Sequence, residues 1–234
     1  MSALTASERA AIGALIAARG TAGRASPRVS LRRVPIGGRR LSVLVAGVAP
    51  KLAGPGARPH LRFDRGVHKL AERLKLALEA KIPAATTVAV TVTAPIWLLN
   101  RTSLAIERVA DRLLRQQRVR RAFVGVIHEN GVRVQVFMHR ARAASKVALF
   151  VHNPETDPRV LLETSRALLA GIGGALDRHA RRGPPAGRWL VLVDPKGAVP
   201  VDTYRHAFAQ LFPAYRRGRV LIAQAGRRVE PLER

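Results

Sequence analysis

The sequence contains no cysteine. Disulfide staples, thiolate nucleophiles and Cys-ligated zinc are therefore excluded, and the redox compartment stays open. Aromatic residues are scarce at 4%, so a core must be built from Leu, Val, Ile and Ala. Acids are also few: 15 Asp and Glu stand against 41 Lys and Arg, a formal net charge of +26. So thin a supply of carboxylates argues against a two-carboxylate hydrolase. No apolar run approaches the ~18 residues of a membrane span. Glu8 and Arg9 interrupt the N-terminal segment where a secretory signal needs an apolar stretch, so a cytoplasmic protein is expected.

What is present is consistent with a folded chain. At 234 residues and 47% hydrophobic, it can bury one large core or two small ones. Only six of the basic residues are Lys. Heavy Arg, Ala, Gly and Pro usage marks a GC-rich genome, so part of the Arg content is compositional drift. Drift does not explain so few acids, and a self-repelling charge of this size favours a polyanionic partner.

The charge is unevenly placed, with no acid between residues 9 and 63. A short helix is predicted over 5–19, capped by Thr5 or Ser7 and stopped at Gly20. Residues 19–60 then read as a Gly/Pro/Arg-rich basic arm with one candidate strand, LSVLVAGV at 41–48. Residues 1–60 are thus read as helix and arm, and 61–234 as a mixed α/β domain.

From Gly66 the elements follow in the order α-β-α-β-β-β-α-β-α-β. VHKLAERLKLALEAK places Val67, Leu70, Leu74 and Leu78 on one helical face. TTVAVTVTAPI is β-branched and alternating. SLAIERVADRLLRQQ is a helix capped by Asn100 or Thr102, with Asp111 and Arg115 able to pair. Strands are predicted at 146–153, 188–194 and 219–224, and helices at 158–179 and 201–212. The fold class is α+β or α/β, a mixed sheet with helices packed on it, preceded by the basic arm. Residues 86–194 fit ferredoxin-like connectivity with an extra strand, while 146–224 fit β-α-β-α-β equally well.

FVGVIHENGVRVQVFMHR, residues 123–140, reads as a hairpin turning on Asn130-Gly131, the preferred type I′ pair. One face then carries Phe123, Ile127, Val132, Val134, Val136 and Met138. The other carries Val124, Val126, His128, Arg133, Gln135, Phe137 and His139. Arg133 and Phe137 are candidates for hydrogen bonding and base stacking, as on sheet-face RNA binders. One aromatic is few for that role, so the face is read as mainly structural.

The Arg clusters point to phosphate. Arg28, Arg32, Arg33, Arg39 and Arg40 lie in the arm. Arg115, Arg118, Arg120 and Arg121 surround the third helix and the strand after it. Arg181 and Arg182 follow the fourth helix, and Arg216 and Arg217 precede the last strand. Guanidinium forks suit phosphate oxygens bidentately. No base-reading helix motif or zinc finger is visible, so the expected recognition is of backbone and not of sequence.

Three other motifs have a plainer reading. Asp194-Pro195-Lys196-Gly197 matches a metal-dependent nuclease's Asp-x-Lys, but it is also an ordinary type I turn and lacks a partner acid on the strand before it. AGIGGA, residues 170–175, follows helical residues, which suits close packing better than phosphate binding. The His residues lack metal-ligand spacing. The expectation is a non-catalytic nucleic-acid-binding protein, for DNA or RNA, with no cofactor or metal. The alternatives are a nuclease using Asp194 and Lys196, and an assembly subunit docking on an acidic protein or membrane.

Overall fold

The computed structural model describes residues 5–17, 30–36, 39–48, 65–116, 121–141, 144–152, 157–180, 188–195, 197, 199–215, 218–224 and 229–233. Its elements are α1 (Ala6–Ala17), β1 (Ser30–Ile36), β2 (Arg39–Gly47), α2 (Arg65–Leu78), β3 (Thr86–Thr93), α3 (Leu99–Arg115), β4 (Arg121–Ile127), β5 (Asn130–Met138), β6 (Val147–His152), α4 (Arg159–Ala180), β7 (Arg188–Asp194), α5 (Val201–Leu211), β8 (Val220–Gln224) and β9 (Val229–Pro231).

The strands form two mixed sheets where the sequence suggested one. The first has the order β1-β2-β7-β8-β9 and the second β4-β5-β3-β6. Alternation along each strand sends side chains to two different cores. Val43, Val45, Val191 and Leu221 face α1 and its Ile12. Leu44, Ala46, Leu190, Leu192 and Ile222 face α4 and α5, which also meet Ala89, Ala148 and Phe150 of the second sheet. On that sheet's far side Val88, Val90, Val134 and Leu149 pack on Leu70, Leu74 and Leu78 of α2 and Ile106 of α3. The layers therefore run α1, sheet, α4/α5, sheet, α2/α3. Sheets covered on both faces need near-continuous apolar strands, which is why TTVAVTVT and VALFVH are buried almost end to end.

Both predicted connectivities are partly realised. β3-α3-β4 is a split crossover with β5 between its two strands, the ferredoxin-like half. β7-α5-β8 is a parallel crossover, but β6 lies in the other sheet, so α4 links the sheets. The glycines of 170–175 serve that packing. A Cβ on Gly171 would lie 2.9 Å from Val48 Cγ1, and one on Gly173 would lie 2.8 Å from the Ala141 backbone nitrogen. Helix α1 opens with a capping box: Thr5 Oγ1 accepts the Glu8 amide at 3.3 Å and Glu8 Oε2 accepts the Thr5 amide at 2.7 Å.

The expected basic arm is corrected over 30–47. β1 pairs antiparallel with β2, and β2 lies parallel to β7. The boundary drawn at residue 60 therefore runs through a chain whose two sides share one sheet. The sequence is misleading here because Pro35 and the Arg pairs look like linker. Pro is tolerated on an edge strand, and β1 is at the edge. Residues 19–29 and 49–60 lie outside the described residues. The cap of α3 is also corrected: Leu98, not Asn100 or Thr102, holds the cap position, and no side chain bonds to it. Asp111 pairs with Lys81 at 3.2 Å instead of Arg115.

The hairpin turns two residues earlier than expected. His128 and Glu129 occupy the left-handed region, with φ of 46° and 65°. The register pairs Ile127 with Asn130 and Phe123 with Val134. A shift of two residues keeps parity, so the two faces are sorted as predicted. Asn130 is drawn out of the turn because its side chain is needed elsewhere. Its Oδ1 accepts the Trp97 amide at 2.8 Å, and its Nδ2 donates towards the carbonyls of Trp97, Ile127 and His128 and towards Thr102 Oγ1. Positive φ costs Glu129 about 1 kcal/mol or more, and His128 tolerates it less well than Asn or Gly would. His128→Asn with Glu129→Gly is expected to raise the urea midpoint of unfolding, with the slope unchanged.

Candidate functional site

Helix α4 covers only part of the second sheet's inner face. Where it ends its cover, the hairpin's polar face and α4 form two adjoining hollows that meet at Gln135. The larger, about 480 Å³, lies between residues 135–140 and one side of α4. The smaller, about 220 Å³, lies over Val124, Arg133 and Gln135 beneath Arg159 and Glu163. Among the described residues, Arg133, Arg140, Arg159 and Arg166 line the two hollows, against one carboxylate, Glu163. Arg159 and Arg166 share a face because they are two turns apart, with Glu163 between them. Glu163 pairs with Arg166 at 3.1 Å. Val124 and Val126 stay exposed, at 62% and 74%, so none of the described helices covers this end of the hairpin. The groove combines guanidinium donors with apolar floor, a surface suited to an anionic chain carrying flat or apolar groups.

Phe137 does not serve as an exposed stacking platform. It is buried in the core beneath α4, and the Arg166 guanidinium lies 5.5 Å from its ring centroid. That contact is a cation–π pair which fixes Arg166 at the groove wall. The correction follows from a helix that hairpin periodicity cannot reveal.

His139 closes the deep end of the groove. Thr87 Oγ1 donates to the Ser145 carbonyl at 2.6 Å, so it accepts from His139 Nε2 at 2.9 Å, and His139 Nδ1 accepts the Ala141 amide at 3.2 Å. This network suits the neutral ring with its proton on Nε2. Burial lowers its pKa below the ordinary value of 6.5. The unfolded chain therefore takes up a proton more readily. The stability from this group is complete above 6.5 and is lost as pH falls towards the folded value. Melting temperature is expected to fall between about pH 7 and pH 5, with a shallower fall in His139→Gln.

Asp194 sits in a different place, at the carboxyl end of β7, and is 1% exposed. Its Oδ1 accepts the Gly197 amide at 3.1 Å. Its Oδ2 accepts the Tyr204 hydroxyl at 3.1 Å and the Gln224 amide at 3.2 Å. Burial, then the Asp194 charge and hydrogen bond, hold Tyr204 far above its ordinary ionisation range. Both carboxylate oxygens are thus engaged in joining β7, α5 and β8, and Gly197 takes a left-handed φ of 59° in the turn. Among the described residues no three His, Asp or Glu side chains gather in a way that could hold a metal.

The other predicted residues are dispersed. Arg33 is exposed on β1 and Arg115 is exposed at the end of α3. Arg32, Arg39, Arg40 and Arg121 fall on strands β1, β2 and β4. Arg28, Arg118, Arg120, Arg181, Arg182, Arg216 and Arg217 lie outside the described residues. Among the described residues of the predicted set, Arg133 and Phe137 reach the groove. The sequence reading passed over Arg140, Arg159 and Arg166. The seven-residue spacing of Arg159 and Arg166 on a strongly predicted helix was the available signal. The chain matches no protein-family model, and no curated protein or solved structure matches it.

Proposed function

We propose that this protein binds nucleic acid through its phosphate backbone, with the α4–hairpin groove as its structured contact. The observation that carries this reading is four guanidinium groups against one carboxylate, among the described residues, along two adjoining hollows in a chain of net charge +26. Guanidinium forks on fixed elements can hold phosphates bidentately, and exposed Val124 and Val126 offer apolar surface to sugars or bases. The groove supplies cations for backbone contact, and the engaged Asp194 gives the nuclease alternative no added support.

The test is filter binding to single- and double-stranded DNA and RNA. Arg133→Gln with Arg159→Gln is expected to weaken binding across sequences and reduce the salt slope by about two. Unchanged affinity and slope in a folded double variant would refute the groove as the contact. Magnesium-dependent cleavage by the wild type would shift the assignment to the nuclease.

A further inference from the structure

The outer surface of the α2/α3 layer, on the side away from the second sheet, carries an arrangement that neither the groove nor the core uses. Along α3 from Arg101 onward the exposed positions are Arg101, Leu104, Arg108, Arg112 and Arg115. Their spacing of three and four residues makes one outward stripe with four cations and no acid. The acids of this helix, Glu107 and Asp111, point aside to Lys81, at 2.8 and 3.2 Å. At the head of the stripe Trp97 and Leu98 are 54% and 57% exposed, and Leu104 is 55% exposed. On α2, Leu76 is exposed too, beside Arg73 and Lys75, with Glu72 and Glu79 on the same helix.

Two further facts separate this from a chance scatter of apolar residues. Leu98 has φ 43° and ψ 51°, a left-handed conformation that disfavours Leu, and its side chain gains no burial in return. The Trp97 backbone is clamped on both sides, its amide by Asn130 Oδ1 at 2.8 Å and its carbonyl by Thr102 Oγ1 at 2.8 Å. Strain and hydrogen bonds together hold two apolar side chains out in solvent at a fixed place.

From these features we infer that the α2/α3 layer docks on an anionic lipid bilayer surface, with Trp97, Leu98 and Leu104 entering the interface and the Arg stripe facing the headgroups. Cations interleaved with Trp and Leu on a helical surface match both parts of such an interface. A nucleic-acid duplex would satisfy the Arg stripe but leave the strained Leu98 without a role. The surface is separate from the groove, so the two readings fail separately.

The experiment is co-sedimentation with vesicles of phosphatidylcholine and phosphatidylserine in equal amounts, against phosphatidylcholine alone. Binding to the anionic vesicles is expected, with a blue shift of Trp emission that Trp97→Phe abolishes. Trp97→Ala with Leu104→Ser should lower partitioning roughly tenfold. Leu98→Asn is the decisive variant, because Asn tolerates both positive φ and a helix cap. It should raise the melting temperature by about 2–4 °C and still lower partitioning several-fold. Arg133→Gln with Arg159→Gln should leave vesicle binding unchanged. Anionic-vesicle binding that is indifferent to all three apolar changes would mean a bare polycation at a charged surface and would overturn the proposal. So would a Trp97 emission shift seen with single-stranded RNA and not with vesicles.

Discussion

Asp194→Ala is expected to destabilise the protein by about 1–3 kcal/mol, the usual cost of leaving a buried polar group without its partner. The side chain is enclosed, and its carboxylate joins three elements: Tyr204 on α5, Gln224 on β8 and the Gly197 amide in the following turn. Removing it strands the buried Tyr204 hydroxyl, which no longer has an anion to bond. Gln224 cannot simply rotate its amide, because Nε2 also donates to the Val199 carbonyl at 2.6 Å. Turning Oε1 towards that carbonyl would set two acceptors together. Asp194→Asn should fall between, keeping one acceptor oxygen for Gly197 but presenting a donor to Gln224. Tyr204→Phe should be milder, since it removes one donor and leaves the carboxylate those of Gly197 and Gln224. Urea unfolding of the three variants gives the order directly. A loss under about 1 kcal/mol for Asp194→Ala would mean that the cluster is wet or slack.

The same residue shows how far the sequence could be read. The turn chemistry of Asp-Pro-Lys-Gly was legible because it is local, and the turn's Asp–Gly bond is in place. The roles of Tyr204 and Gln224 were not legible, because they depend on which strands lie side by side. Most helices and strands from residue 65 onwards followed their periodicity, and the apolar face of the hairpin, Val132, Val134 and Val136, is buried as expected. The division into two sheets was hidden, since a buried strand looks alike in either sheet.

Asn130-Gly131 is the instructive failure. As a pair it is the strongest short-range turn signal, yet long-range bonds from Asn130 to Trp97 and Thr102 move the turn to His128-Glu129. Gly131 is then needed for closeness, because a Cβ there would lie 2.6 Å from Thr93 Oγ1. Phe137 and the groove Arg residues failed for a related reason. What covers a sheet face, and what a helix brings to its rim, is decided by tertiary packing and not by the strand's own pattern.

Binding to nucleic acid is expected to be steep in salt and weakly selective in sequence. Each neutralised phosphate releases condensed counterions, so the slope of affinity against salt counts the contacts. With six or more contacts, affinity should drop about 10³-fold or more between about 50 and 200 mM salt. Four Arg residues line the groove, so reaching six requires cations from elsewhere in the chain. The N-terminal segment supplies them in this reading. Its share cannot be measured by deleting residues 1–40, because that removes β1 with buried Val34 and the first residues of β2. Arg19, Arg24 and Arg28 precede β1 in the chain, so substituting them with Gln leaves the strand residues unchanged. That triple variant should reduce the salt slope by about two to three while the melting temperature stays put. Combined with the groove double variant, it should leave a slope near one or two. A slope that stays at its wild-type value in the combined variant would place the contacts on other Arg clusters. Affinity that is flat across the salt range would remove the electrostatic basis of the proposal itself.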